Sequence, residues 1–492
     1  MLTWAMLGVV WRWSSYQPSN GDLLLGLVVV PVLLIGGYFL LQGVLRSMLA
    51  SPASSGVLPP KTSAAAKPQE MAPQTAMPQL SVLAGCVKLP VGGAQELMQA
   101  CIEGVRPGLD AQLRDSQGFP VIAARVQELD DVDALAWWDE SGLDEVLPWG
   151  REWLLQLPAA KVRELRLLAD VLEVNAVDTE RELQKIYVQH TSGLMASEEL
   201  EGGKLYPKVQ LPPVHVRIGA HADWAQEHES RLQSWGLAWL QRSAPTLHFE
   251  VQVHQTEAKD THLDFPWPST LLEAADAALT NGPLLASTHE DVWLLAATYS
   301  GVSQAAVDQL EAIGRLYGPQ RREGWVVGEG AAALAVLRQP LLHAAPVQRG
   351  PLPFPTIASA RACRATEAEA TSLQGVLALM LKAGEIPAAE VAAVVSDADH
   401  RPASAMEMAM LLSQQLPHLS AQKDCSMVGI PCGYIAGVGA LASLVLASEL
   451  AVDAQRLVLA AAVRQMSWHA AALLMPPGWS AEGSINASNA EA

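Results

Sequence analysis

The chain has 492 residues, half of them hydrophobic, and a formal net charge of −19. That length and apolar content allow a large core, in two or three domains or in one duplicated one. The acidic balance repels phosphate backbones and argues against nucleic acid as a partner. The five cysteines are an odd number with no CxxC pair, and they fit neither a disulfide framework nor a cysteine-based zinc site.

The first feature in chain order is Leu23–Leu41, nineteen residues without a charge. A helix needs about 20 apolar residues to cross the hydrocarbon core. Trp4, Trp11, Trp13 and Tyr16 precede the run, where aromatic residues favour the membrane interface. No Ala-x-Ala cleavage pattern follows directly, so an uncleaved anchor within residues 1–50, with its helix over about 23–45, is the expectation. Arg12 and Arg46 flank the run on opposite sides and leave its orientation open. Residues 51–80 follow, and sixteen of these thirty are Pro, Ala or Ser. Such a segment buries no core and reads as an extended linker.

From Leu80 the pattern alternates between strand-like and helix-like stretches. Leu80–Leu89 reads as a buried strand and AQELMQACIEGV as a helix. Residues 130–213, with Trp137, Trp138, Trp149 and Trp153, read as an inserted helical region. Within it Val162, Leu165, Leu168, Val171 and Leu172 share one helix side. Its tryptophans are either ordinary packing or a partner surface, and packing is the simpler account. Val214–Ala220 and Leu247–His254 read as strands, and Leu271–Gly282 as a helix ending at Asn281-Gly282. DVWLLAATYS is a further strand. Gly324–Leu337, GWVVGEGAAALAVL, reads as a strand, a tight turn at Gly328 and Gly330, and a second strand. After Gly350 the pattern restarts and closes with the strand pair QRLVLAAAV and HAAALLMPP. Alternation of this kind predicts an α/β fold with a largely buried sheet, and the likeness of the two halves predicts an internal duplication.

Four stretches resemble one family, the β-ketoacyl synthases of the thiolase-like fold. They are LSVLAGCVKLPVGGAQELMQACIEGVRPGLD, the run from DVWLLAATYS through VGEGAAALAVL, LKAGEIPAAEVAAVVSDADHRPASAMEMAML, and CSMVGIPCGYIAGVGALASLVLA. The resemblance covers most of Leu80–Pro477 except residues 130–213. It implies a thiolase-like, duplicated, layered α/β body: a first half over 81–345 with its helical insertion, a second over 346–477, and a disordered tail over 478–492. It also implies pairing of two copies through their sheets.

The family's chemistry needs a cysteine thiolate at a helix N-terminus and two histidines that stabilise developing charge. The matching positions here are Phe265 for the nucleophile, Asp397 for the first histidine and Gly433 for the second. His400 stands three residues past Asp397, and no cysteine lies between Cys101 and Cys363. Arg464-Gln465-Met466-Ser467 replaces the family's glycine-rich loop. Condensation has lost its residues, and no catalytic set is expected.

One alternative site is a Cys432–His400 pair acting on an acyl thioester or lipid, set against an inert buried cysteine. His215, His221 and His228, with Asp223 and Glu227, lack the HExxH spacing of a zinc site, and His248 and His254 fit the polar face of a strand. Glu329, between Gly328 and Gly330, reads as a hydrogen-bonding core residue. No cofactor and no metal are expected. The composite expectation is a single-pass protein of a bacterial inner membrane, catalytically inactive. It would serve as a scaffold or adaptor for another protein, such as an envelope or secretion component. Acyl chains and acyl carrier proteins remain candidate partners, although carrier proteins are acidic as well.

Overall fold

Two sets of five strands carry the same order and the same directions. The computed structural model describes residues 80–131, 133–195, 211–221, 224, 226–255, 292–338, 354–364, 373–464 and 468–479. The Leu23–Leu41 run, the linker, Phe265, the Leu271–Gly282 segment and the tail beyond 479 lie outside them. Among the described residues no helix is long and apolar enough to cross a membrane.

The first half runs β1 (Leu80–Lys88), α1 (Ala94–Glu103), β2 (Gly108–Arg114), β3 (Pro120–Ala124), α2 (Ala134–Ser141), α3 (Gly150–Gln156), α4 (Ala159–Met195), β4 (Val214–Ala220), α5 (Gln226–Ser243), β5 (Phe249–Gln255), β6 (Val292–Ser300), α6 (Gln304–Ala312) and β7 (Val327–Arg338). The second runs β8 (Thr356–Arg364), α7 (Leu373–Ala383), β9 (Val391–Ser396), α8 (Pro402–Gln415), β10 (Cys425–Met427), α9 (Gly429–Cys432), α10 (Val438–Ala454), β11 (Leu457–Ala462) and β12 (Trp468–Met475). The strands lie in the order β10-β9-β11-β12-β8-β1-β7-β6-β4-β5. Read inward from either edge, each half gives its third, second, fourth, fifth and first main strand. The second strand pairs in parallel with the third and the fourth, and the remaining pairs are antiparallel, in both halves. The duplication expected from the restart after Gly350 is therefore present in the strand order itself.

The chain stacks these elements in layers. α4 and α5 cover one face of the first half-sheet, and α7 packs on α8 and on β12 and β8 of the second. α10 lies between the two half-sheets, against β11, β9 and β12 on one side and β7, β1 and β6 on the other. Its sequence, VGALASLVLASELAVDA, is small and apolar all round, which suits a helix with sheets on both sides. Leu441, Leu444 and Val445 have no exposed surface.

Two expectations are revised. The GEG stretch is not a turn between strands. Gly328, Glu329 and Gly330 lie inside β7, paired with Ser300 and Tyr299 of β6. Their glycines answer to close packing: a Cβ on Gly328 would fall 2.2 Å from Cys432 O, and one on Gly330 would fall 2.5 Å from Leu89 Cδ2. The helix expected inside the 130–213 insertion is also more than an addition. α4 is 37 residues long and packs on β7, β1 and β6 as the layer helix before the half's second main strand. Leu165, Leu168, Val171 and Leu172 are fully buried. The additional material in this half is the stretch from α1 to α3, together with α6 between β6 and β7.

Candidate functional site

The three positions that the resemblance singled out divide. Phe265 lies outside the described residues. Asp397 packs beside Gly429 of α9 and Gly439 in the first turn of α10, and Gly433, which closes α9, packs instead on Val326 and Val327. A Cβ on Gly439 would lie 3.3 Å from Asp397 Cβ, and a Cβ on Gly429 would lie 2.9 Å from Asp397 O.

Asp397 follows directly on β9 and is 2% exposed. Its Oδ1 accepts from Val463 N at 2.7 Å and from Arg464 N at 3.2 Å, and its own N–H donates to Ala461 O at 3.2 Å. The carboxylate thus ties the end of β9 to the end of β11. Asp399, two residues on, is gripped by Arg401. Nε lies 2.9 and 2.8 Å from the two carboxylate oxygens, and Arg401 N donates to Oδ1 at 3.0 Å. Both carboxylates hold structure rather than face a reacting group.

Gly433 ends α9 at φ 67° and ψ −152°, a conformation that favours glycine. A Cβ there would also sit 2.8 Å from Val326 O. The Cys432–Gly433 turn and Gly328 of β7 are therefore pressed backbone to backbone, and this accounts for a glycine at both places. Tyr434 N donates to Val326 O at 2.8 Å and fixes the contact.

A column of rings and guanidinium groups stands beside this turn. Tyr434 stacks on Trp325 with centroids 4.1 Å apart and planes 9° from parallel, and meets the edge of Tyr299 at 5.4 Å. Arg464 lies over Tyr434 at 4.8 Å and donates to Ala436 O. Arg315 lies over Trp325 at 4.8 Å and Arg401 at 5.9 Å. Arg464, which follows β11, is 5% exposed. Guanidinium over indole or phenol is favourable, more so when water is excluded.

Cys432 and His400 do not form a dyad. His400 Nε2 lies 3.1 Å from Gly324 O and so carries the proton it donates there, while its ring meets Tyr317 edge-on at 4.9 Å. Cys432 has no exposed surface, and burial, with a smaller contribution from Cys101, pushes its thiol well above the usual range. No hydrogen bond joins the two among the described residues. Burial thus disfavours the thiolate that a nucleophile or a metal ligand requires.

Glu329 is fully buried and has four donors. Val126 N reaches Oε1 at 2.7 Å, Arg163 reaches both oxygens at 2.8 and 2.6 Å, and Ser300 Oγ reaches Oε2 at 2.8 Å. Ser300 N in turn donates to the buried Glu164, 3.1 Å away, which also pairs with Lys161 at 2.9 Å and with Trp224 Nε1 at 2.6 Å. Arg163 was not singled out in the sequence; its one signal was a basic residue beside the apolar stripe of a helix.

The tryptophans of residues 130–213 turn inward. Trp138 and Trp153 have no exposed surface, and Trp137 stacks on Trp239 of α5 at 5.6 Å. Trp153 Nε1 donates to His228 Nδ1 at 3.1 Å. His215 pairs with Glu250 at 3.1 Å across β4 and β5, and His254 meets Arg217 at 3.0 Å. Among the described residues no group of three His, Cys, Asp or Glu is arranged to hold a metal ion.

No protein-family model matches the chain, and no curated protein does. Solved structures similar to it are ketosynthase and chain length factor proteins. The ishigamide ketosynthase/chain length factor is 14% identical, with 81% of this chain and 100% of that one covered at a TM-score of 0.46. A β-ketoacyl synthase from Burkholderia phymatum STM815 is 10% identical, with coverage of 81% and 100% and a TM-score of 0.45. A ketosynthase in complex with its chain length factor from Xenorhabdus doucetiae is 13% identical, with coverage of 82% and 99% and a TM-score of 0.40.

Proposed function

We propose that the chain is a catalytically silent, ketosynthase-like protein that works by binding another protein, held at a membrane through residues 23–41. One observation carries this reading. At the positions where the resemblance places proton-transfer groups, Asp397 and the Cys432–Gly433 turn carry backbone hydrogen bonds and close packing. The Arg464–Tyr434–Trp325 column stands beside them. A duplicated rigid body with no reacting group at these positions offers surfaces rather than turnover. One such surface is β5, a seven-residue strand at the edge of the sheet order. Its outer backbone groups can pair with a strand of a second copy or of a related chain. In this reading the protein is a scaffold or adaptor near the membrane, with an envelope component as its client.

The test is acyl transfer. Purified full-length protein incubated with acyl and malonyl thioesters is expected to give no covalent acyl adduct by intact mass and no condensation product. Cys432→Ala is expected to behave in the same way. An adduct on Cys432, lost in that variant, would return the chain to the enzymes.

A further inference from the structure

Between strands, the two half-sheets are joined along one short ladder. β1 and β8 pair at Leu80↔Ile357 and Ser81↔Thr356, and Val82 N donates to Pro355 O at 2.8 Å. Immediately after this ladder the register of β1 against β7 shifts, between Val82 and Ala84. A cleft of about 470 Å³ opens at the same place. Its walls are Val82–Gly85 of β1, the Phe354-Pro355 approach to β8, the N-terminus of α1 and the last turns of α10.

Three carboxylates line the cleft: Glu96 from α1, and Glu449 and Asp453 from α10. Among the described residues no lysine or arginine does. Glu449 and Asp453 are four residues apart on one helix, where like charges repel. Glu96 is partly engaged, its Oε2 accepting from Gly93 N at 3.1 Å. From β1 the nearby titratable group is the Cys86 thiol, which also feels Asp178 and Asp170 of α4 and, in the opposite sense, Lys88. Everything acidic here disfavours a further negative charge. Burial first, then Asp453 and Glu96, pushes the Glu449 carboxyl up to about 7.

We propose that this acid-lined cleft is a pH-sensitive joint between the two halves. With Glu449 protonated, α1 and α10 stay drawn against β1 and the β1–β8 ladder is held. With Glu449 ionised, the three carboxylates repel and the ladder loosens. Glu449 holds its proton more tightly in the folded chain than in the unfolded one, where its ordinary value of 4.5 applies. Stability is therefore highest below about 4.5 and declines as pH rises from there; the loss is complete above about 7.

The experiment is amide exchange of the full chain at pH 6, 7 and 8, with β1 and β8 read relative to β9 and β11 in the same sample. The ratio cancels the intrinsic pH dependence of exchange. A several-fold rise in relative exchange of the ladder from pH 6 to 8 is expected in the wild type. A flat ratio is expected in Glu449→Gln. A flat wild-type ratio, or an equal rise in Glu449→Gln, overturns the proposal. Should Glu449→Gln not fold, Glu96→Gln removes one charge that raises the Glu449 carboxyl, lets it ionise at lower pH, and is expected to shrink the rise in relative exchange from pH 6 to 8. A rise as large as in the wild type overturns the proposal as well.

Discussion

The two halves share a strand order and solve the same packing problem with different chemistry. In the second half, Val394, Leu457, Leu459 and Ala461 of β9 and β11 join α7 and α8 in one apolar cluster. In the first half, the end of β6 and the start of β7 meet α4 through buried charge: Glu329 of β7 with Arg163, and Ser300 N of β6 with Glu164, which is itself paired with Lys161. The same half carries the additional stretch from α1 to α3, and Asp130, at its middle, joins the same network through Arg163 and Arg125. Backbone order is what the duplication has kept. Side-chain chemistry has been free to differ wherever each buried group found a partner.

That contrast can be broken most strongly at Glu329. Removing one member of a buried ion pair strands the other and costs about 3–5 kcal/mol. Glu329→Ala also removes the acceptor for Val126 N and Ser300 Oγ, so a loss at the upper end is expected in urea unfolding. Leu459→Ala in the second half leaves only a cavity, and about 2–5 kcal/mol is expected. The signature separating them is rescue. Combining Glu329→Leu with Arg163→Met is expected to recover part of the loss, since an apolar pair of similar volume often replaces a buried ion pair at little cost. A double variant no better than Glu329→Ala would show that the hydrogen bonds, not the charges, dominate.

Much of this difference could be read from the sequence, but not its centre. Apolar runs such as DVWLLAATYS and EVAAVVSDA announce buried strands because a strand covered on both faces needs no polar alternation. The restart after Gly350 announced the duplication. Gly328 and Gly330 misled because glycine marks turns by its conformational freedom, whereas here the absence of a Cβ is what matters, against Cys432 O and Leu89. The Arg163–Glu329 pair spans 166 residues, and no local pattern connects its members. At the site, the resemblance located Asp397 and Gly433. Only geometry shows that Asp397 is bonded to the backbone at Val463 and Arg464, or that Tyr434 and Trp325 stack.

A middling effect is expected from placing a histidine at position 397. Asp397→His leaves the buried N–H groups of Val463 and Arg464 without their acceptor, and each such loss costs about 1–3 kcal/mol. Urea unfolding is expected to show a drop near the low end of the two losses together, about 2–3 kcal/mol, and condensation activity is expected to stay absent. A gain of condensation in this single variant would mean that the pocket retains its chemistry and that the proposed silence rests on one side chain.

The smallest effect is read from the thiols. Burial pushes Cys101 and Cys425 up to about 12 each, and it raises the fully enclosed Cys432 thiol well above the usual range. Cys86 of the first half is raised less, to about 11, by burial and then by Asp178, Asp170 and Glu449. Only the thiolate alkylates, so a thiol near 12 reacts about a thousandfold slower at pH 8 than an ordinary cysteine. With Cys363→Ser in the background, iodoacetamide labelling of folded protein is expected to mark Cys86 first and Cys432 last, all four slowly. Labelling in urea is expected to be fast and even. The stability of the fold is not touched by this measurement, yet it bears directly on the site. A Cys432 that labelled ahead of Cys86 would mean that the turn over Gly328 opens to solvent, and a thiol that solvent reaches is one that an acyl thioester can reach too.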